Sequence, residues 1–147
     1  MTAEFLSHSE EDTRELGRRF AECLKPEICV LLFGDLGAGK TVFVRGVGEA
    51  LGISGVRSPS FTLVNEYEAA SGQRVIHADL YRLDDADSLG LEEYCEDCVL
   101  FVEWPERWKN PPQENVLKVY FSSPGETERV IKFQAQGEIA EGVLSEL

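Results

Sequence analysis

A glycine-rich segment at residues 34–41 carries the most specific chemical pattern of the sequence. It matches GxxxxGK[ST] in full and reads Gly34-Asp35-Leu36-Gly37-Ala38-Gly39-Lys40-Thr41. Glycines let successive backbone N–H groups turn inward around phosphate oxygens, and the helix that follows presents its positive N-terminal end to the same anion. In this pattern the lysine reaches the β- and γ-phosphates, and the last hydroxyl ligates Mg²⁺. The segment therefore predicts a binding site for a nucleoside triphosphate with Mg²⁺.

A magnesium site needs an acidic ligand besides one hydroxyl, and the sequence offers two candidates. Proteins with this loop place a carboxylate at the end of a neighbouring buried strand, where the charge of the ion offsets the cost of burial. Glu103 follows a fully apolar run, and Asp79 follows a more mixed one. Glu103 is the stronger local match, and the sequence leaves open whether both carboxylates face the same ion.

The hydrophobic pattern predicts the elements that must hold this site. Residues 28–33 form an unbroken apolar run, typical of a strand buried on both faces, and lead directly into the glycine-rich segment. Apolar residues at helical spacing follow Lys40, and Gly52 ends that predicted helix. Ser9 begins a capping-box pattern, which predicts an amphipathic helix that ends before Pro26.

Buried strands with helices between them predict an α/β fold, in one domain over residues 1–147. The further predicted elements are a hairpin over residues 61–80, a short acidic helix over residues 84–94, a strand over residues 98–102 and a hairpin over residues 116–133. With the glycine-rich segment, this order predicts a P-loop NTPase-like three-layer sandwich whose central sheet is mixed and mainly parallel.

The chain is acidic: 27 Asp and Glu residues against 14 Lys and Arg residues give its 147 residues a net charge of −13. Nucleic-acid binding gains affinity from Lys and Arg that neutralise phosphates, so this charge argues against a stand-alone nucleic-acid-binding protein. No apolar run approaches the ~18–20 residues of a membrane helix, and no targeting peptide is visible. We therefore expect a cytoplasmic protein with no membrane partner. The pair Cys95 and Cys98 lacks the second ligand pair of a structural zinc site.

Other patterns bear on the nucleotide and the reaction. No NKxD loop for guanine is present, and a DxxG match at residues 87–90 falls in a predicted helix, so ATP is the predicted nucleotide. The arginines after the glycine-rich segment are scattered rather than grouped in a lid, which argues against a small-molecule kinase. A small-molecule kinase and a non-catalytic, nucleotide-gated adaptor remain the alternatives to an ATPase.

Four motifs in order along the chain resemble those of the TsaE family, the bacterial ATPases of the tRNA threonylcarbamoyladenosine system. After residues 34–41 come Ser58-Pro59-Ser60-Phe61-Thr62-Leu63-Val64-Asn65-Glu66-Tyr67, His77-Ala78-Asp79-Leu80-Tyr81-Arg82-Leu83 and Glu103-Trp104-Pro105-Glu106. The resemblance implies an ATPase with slow, partner-dependent hydrolysis that docks onto TsaD-like and TsaB-like proteins. That assembly transfers threonylcarbamoyl to the adenosine beside the anticodon of tRNAs that read codons beginning with A. This chain would then meet tRNA only indirectly.

The resemblance also implies roles for single residues of the predicted site. The loop amides and Lys40 would bind phosphates, and Thr41 and Glu103 would hold Mg²⁺. Asp79 belongs to the HxDxYR motif and matches a residue that the family needs for activity. The candidate catalytic residues are therefore Lys40, Asp79 and Glu103.

Three residues outside the glycine-rich segment are expected near the nucleotide on the same grounds. Thr62 lies in a switch-like loop and would face the nucleotide, and Trp104 flanks Glu103. Glu10 matches a family position near the adenine. His77, in contrast, is expected to be a structural histidine of its strand rather than a base.

Overall fold

The computed structural model describes residues 1–35, 37–59, 62–84, 89–95 and 97–147, without the side chain of Cys95. Several predictions therefore concern residues outside the described ones. These are Leu36 as a nucleotide contact, Ser60 in the second of the four motifs, Phe61 at the start of the first hairpin, and residues 87–88 of the DxxG match.

Seven strands and three α-helices make up the regular structure of the described chain. The strands are β1 (Thr2–Ser7), β2 (Ile28–Phe33), β3 (Val64–Glu68), β4 (Arg74–Asp79), β5 (Cys98–Glu103), β6 (Val116–Ser122) and β7 (Arg129–Gln136). The α-helices are α1 (Glu10–Cys23), α2 (Lys40–Ala50) and α3 (Glu138–Glu146), and two 3₁₀ helices cover Leu91–Cys95 and Pro105–Arg107. The predicted strands and helices of residues 9–52 and both predicted hairpins are confirmed.

The strands form one mixed sheet in the order β1-β7-β6-β2-β5-β4-β3. The central strands β6, β2, β5 and β4 run parallel, and the pairs β1–β7, β7–β6 and β4–β3 are antiparallel. The predicted α/β class with a mixed central sheet is confirmed. Because parallel strands end at the same edge, β2, β5 and β4 bring Leu32, Glu103 and Asp79 side by side.

Alternate residues of the central strands face two separate hydrophobic clusters, one on each side of the sheet. The three α-helices cover one side, where aromatic contacts join Phe20, Phe43, Phe101 and Phe133. On the other side, Leu91 and Trp108 pack over the sheet. The third layer of the described chain is thus built from 3₁₀ helices and loops rather than α-helices.

Helices α1 and α2 pack closely, and a glycine makes the close approach possible. A Cβ added to Gly46 would lie 2.0 Å from the carbonyl oxygen of Arg14. The same packing brings the first turn of α1 next to the start of α2. This proximity is shown by Gly39, where an added Cβ would lie 3.5 Å from Thr13 Cγ2. The α1–α2 contact therefore fixes two walls of the region around residues 34–41.

Three features differ from the sequence-based predictions or were absent from them. Strand β1 and helix α3 were not predicted. The short helix predicted over residues 84–94 is, in its described part, the 3₁₀ helix Leu91–Cys95. None of the described helices combines the length and the apolar character needed to cross a membrane.

Candidate functional site

The glycine loop, defined here as residues 34–41, joins the end of β2 to the start of α2. Gly39 is the N-cap of α2 with φ of 108°, a left-handed conformation that glycine adopts without strain. No side chain of the described residues caps this helix. Its first N–H groups therefore lack the usual side-chain acceptor, and the positive end of α2 meets a cavity lined by Gly39 and Thr41.

Lys40 is buried at the mouth of the loop and folds back across it. Its Nζ donates a hydrogen bond of 2.6 Å to the carbonyl oxygen of Gly34 and lies 4.0 Å from the centroid of the Trp104 ring. Burial lowers the pKa of Lys40, while the negative charges of Glu103 and Asp79 act in the opposite direction. The ammonium group is thus largely removed from water but held by a carbonyl, an aromatic face and nearby carboxylates.

Thr41 and Glu103, the predicted hydroxyl and strand-end acid, are in direct contact. The Thr41 hydroxyl lies 3.3 Å from Glu103 Oε1 and 3.2 Å from Oε2, so it donates to this carboxylate. Glu103 ends β5 and is buried, and its Oε2 is also 2.6 Å from His77 Nε2. One carboxylate therefore receives contacts from α2 and from β4.

Asp79 stands beside Glu103 in the parallel register of β4 and β5. It is buried as well, and its Oδ1 accepts a hydrogen bond of 3.0 Å from the backbone N–H of Tyr81. Both carboxylates that the sequence offered thus lie at the same sheet edge. Of the two, Glu103 is the one in contact with the Thr41 hydroxyl.

A cavity of about 460 Å³ opens over the glycine loop. Eight of the residues predicted for the site line it, namely Glu10, Gly37, Gly39, Lys40, Thr41, Asp79, Glu103 and Trp104. The remaining wall residues are His8, Ser9, Thr13, Val42, Ser58, Glu126, Thr127 and Arg129. The structure therefore gathers residues from α1, α2, β4, β5 and the β6–β7 hairpin around one space.

Three predicted contacts do not line this cavity in the described chain. Asp35 is exposed on the loop, and Ala38 is buried, its N–H donating a hydrogen bond of 3.1 Å to the carbonyl oxygen of Asp35. Thr62 is exposed and donates a hydrogen bond of 2.6 Å to Asn65 Oδ1. These residues support the shape of their loops in this structure.

Arg129 is a site residue that sequence reasoning missed. Its Nη2 donates 3.3 Å to the carbonyl oxygen of Gly37, which ties the β6–β7 hairpin to the glycine loop. Its Nη1 donates to the carbonyl oxygens of Gly125, Glu126 and Glu128. The only sequence signal was a hairpin turn, because the contact depends on β6 lying next to β2.

The oxygen ligands of this region suit a hard cation that shares its coordination with a ligand. Within the described ranges, no three His, Cys, Asp or Glu side chains come together as a metal site. Thr41 Oγ1, Glu103 and the adjacent Asp79 offer only oxygen atoms, which Mg²⁺ prefers. Mg²⁺ characteristically uses one or two carboxylates with phosphate oxygens and waters rather than an all-protein cage. The donor set fits that pattern.

The fold and the site define a class: an α/β protein in which a glycine-rich GxxxxGK[ST] loop leads from a buried parallel strand into a helix. The family model described as "Threonylcarbamoyl adenosine biosynthesis protein TsaE" matches residues 7–131. This match covers most of the chain, including the glycine loop and the cavity walls on α1, β4 and β5. The chain belongs to the TsaE family.

Individual relatives agree with this assignment. The chain is 45% identical to the tRNA threonylcarbamoyladenosine biosynthesis protein TsaE of Aquifex aeolicus over 119 residues, which is 79% of this chain and 85% of that protein. It is 37% identical to the protein of the same name from Bacillus subtilis over 140 residues, 93% of this chain and 88% of that one. The crystal structure of Bacillus subtilis YdiB superposes with a TM-score of 0.83 at 34% identity and covers 99% of this chain and 93% of its own.

Proposed function

We propose that this chain binds ATP with Mg²⁺ and hydrolyses it as the ATPase subunit of the system that forms threonylcarbamoyladenosine beside the anticodon of tRNA. The observation that carries the proposal is the direct meeting of the Thr41 hydroxyl with both oxygens of Glu103, next to Lys40 in one cavity. A hydroxyl from the helix start and a strand-end carboxylate hold Mg²⁺ in P-loop proteins, and the loop lysine and backbone hold the phosphates.

The phosphate chain would lie along the glycine loop and the start of α2. Lys40 is already desolvated, and its ammonium group contacts the Gly34 carbonyl and the Trp104 ring. Phosphate oxygens are stronger partners for an ammonium group than a carbonyl oxygen or an aromatic face. Binding would therefore draw Nζ from Gly34 towards the β- and γ-phosphates.

Thr41 and Glu103 would hold the cation, with Asp79 beside them. When bound, Mg²⁺ neutralises charge that develops on the phosphate oxygens during transfer. The Thr41 hydroxyl donates to Glu103, and its lone pairs would remain available to the ion. The buried carboxylate would keep that hydrogen bond and gain an interaction with the cation.

The nucleoside would occupy the other side of the cavity, between the start of α1 and the β6–β7 hairpin. Ser9 and Glu10 form one wall there, and Glu126 and Thr127 form the other. The cavity volume of about 460 Å³ lies within the range of ~300–1,000 Å³ typical of small-molecule sites. Glu10 would thus lie near the base, in line with its position at the start of α1.

Hydrolysis by the chain alone should be slow. Transition-state charge on the γ-phosphate is commonly stabilised by an arginine. Among the described lining residues, Arg129 is the only arginine, and its guanidinium donates to four backbone carbonyls. A partner protein that contributes a cationic side chain, or that reorients Arg129, would raise the rate of hydrolysis. This accords with a subunit that works on TsaD-like and TsaB-like proteins.

The acidic surface fits a partner-directed role. A net charge of −13 repels the phosphates of tRNA over distances of about a Debye length, roughly 8 Å at physiological salt. A TsaD-like or TsaB-like partner would therefore carry the tRNA contact. This chain would act on that partner according to whether it holds ATP or the products of hydrolysis.

The test is reconstitution of the tRNA modification from purified TsaD-like and TsaB-like proteins, tRNA, ATP and a threonylcarbamoyl donor, with this chain added or left out. We expect threonylcarbamoyladenosine only when the chain is present, and inorganic phosphate as the other product of ATP. Lys40→Ala should abolish both. Lys132→Ala, which removes an exposed lysine of β7 away from the cavity, is the matched control and should behave as the unaltered chain.

Each alternative function has its own outcome in this experiment. Transfer of phosphate to a small molecule would identify a kinase. Full modification by a Glu103→Gln variant that binds ATP without hydrolysing it would identify a nucleotide-gated adaptor. Full modification by the Lys40→Ala variant would reject the role of ATP at this site.

A further inference from the structure

His77 is a fully buried histidine whose single polar contact in the described chain is a carboxylate of the candidate site. It lies on β4 with Nε2 2.6 Å from Glu103 Oε2, and both side chains are shielded from water. Its other nitrogen, Nδ1, has no hydrogen-bond partner among the described residues. The proton is therefore best placed on Nε2, from where it donates to the carboxylate.

A purely structural role does not explain this histidine. A buried nitrogen without a partner costs ~1–3 kcal/mol, which an apolar side chain at the same place would avoid. Val75, two residues earlier on the same face of β4, is such an apolar residue and packs in the hydrophobic cluster under the helices. The feature that sets position 77 apart from position 75 is its neighbour Glu103.

We propose that His77 is a positioning residue that holds the Glu103 carboxylate in the orientation needed to bind the magnesium ion of a bound nucleotide. The inference rests on the proposed function and deepens it. Glu103 has three rotatable side-chain bonds, and Thr41 lies at nearly equal distances from its two oxygens, so the threonine alone does not distinguish them. His77 contacts Oε2 and so fixes which oxygen faces β4.

The same contact would act when the ion is bound. The Thr41 hydroxyl would then present a lone pair to the ion, and His77 would hold the carboxylate from the side of β4. Donors of this kind behind a metal ligand typically contribute 10- to 100-fold to metal affinity or activity. His77 therefore acts through Glu103 and needs no contact with the nucleotide.

The experiment compares Mg²⁺-dependent and Mg²⁺-free binding of ATP by calorimetry in four variants. His77→Leu removes the donor. His77→Gln keeps an amide N–H near the position of Nε2, whereas His77→Asn carries one near Nδ1 and cannot reach Glu103. Val75→Ala is the control for general loss of packing on the same face of β4.

We expect His77→Leu and His77→Asn to raise the Mg²⁺ concentration that gives half-maximal ATP binding by about tenfold or more. Their ATP affinity in EDTA should stay within about twofold of the unaltered chain, because the phosphate contacts of the loop are untouched. His77→Gln should recover most of the Mg²⁺ dependence. Val75→Ala should lower the melting temperature without changing that dependence.

The inference is overturned if His77→Leu and His77→Asn keep the Mg²⁺ dependence of the unaltered chain, or if Val75→Ala shifts it equally. Should His77→Leu fail to fold, the comparison of His77→Gln with His77→Asn still tests the inference. Equal Mg²⁺ dependence of ATP binding in these two variants would contradict a role for a donor that reaches Glu103. Failure of the unaltered chain to bind ATP in Mg²⁺ would instead overturn the proposed function, so the two failures are distinguishable.

Discussion

Replacing Gly46 by alanine tests whether the α1–α2 contact holds the candidate site together. The added Cβ would lie 2.0 Å from the carbonyl oxygen of Arg14 and 2.9 Å and 3.1 Å from its C and Cα atoms. All three are backbone atoms of α1, so no side chain can turn away to make room. The helices would have to separate by about 1 Å or more to restore a normal contact.

Two effects of opposite sign set the magnitude. Alanine favours the helix over glycine by about 1 kcal/mol. Overpacking a tight contact costs typically 1–3 kcal/mol, and a clash with backbone belongs at the upper end of that range. The difference is a net destabilisation of about 2 kcal/mol, or a fall in melting temperature of roughly 4–8 °C for a chain of this size.

Gly142 provides the matched control. It lies within α3, and a Cβ there would meet only the end of the flexible Lys25 side chain at 3.5 Å. Gly142→Ala should therefore gain helix propensity without a clash and raise the melting temperature by a few degrees. Both variants are measured by thermal unfolding followed by circular dichroism. A Gly46→Ala protein that melts at or above the unaltered chain would refute the close packing of α1 on α2.

Three further predictions concern Thr41, Arg129 and the buried thiol of Cys23. Thr41→Val removes the hydroxyl at similar volume. It should abolish the Mg²⁺ enhancement of ATP binding and leave ATP binding in EDTA intact, as measured by titration in both buffers. An unchanged enhancement would exclude Thr41 as a ligand of Mg²⁺. Arg129→Gln should weaken ATP binding about fivefold, the equivalent of one lost hydrogen bond of ~1 kcal/mol to Gly37, and unchanged affinity would show that the hairpin does not support the glycine loop. Burial raises the pKa of the Cys23 thiol, so less thiolate is present at a given pH in the folded chain than in the unfolded one. At pH 8 a thiol-modifying reagent should accordingly react slowly with Cys23 in the native protein and rapidly in the denatured protein, as followed by mass spectrometry. Fast modification of the native protein would contradict this burial.

The centre of the site could be predicted from the sequence because its signals are local. The apolar run of β2, the glycine loop and the first turn of α2 are consecutive, and each has its own physical pattern. The sequence also singled out Glu103 and Asp79 as strand-end acids. It could not rank their distances from Thr41, because that depends on the parallel register of β4 and β5.

The periphery of the site could not be predicted, since it depends on contacts between distant parts of the chain. Arg129 and Gly37 are 92 residues apart and meet only because β6 lies next to β2. Strand β1 has mostly exposed or half-buried residues, so its pattern is weak, and its partner β7 comes more than a hundred residues later. His77 was predicted to be a structural histidine of its strand, and that prediction did not include a partner for its side chain. Its contact with Glu103 required the register of two strands.

Calorimetric titration of the purified chain with ATP, with and without Mg²⁺, tests the central claim most directly. We predict one nucleotide per chain, tighter binding in Mg²⁺ than in EDTA, and no binding by the Lys40→Ala variant. Absence of any heat of binding with ATP or ADP in the presence of Mg²⁺, from a chain that is folded by circular dichroism, would contradict the account.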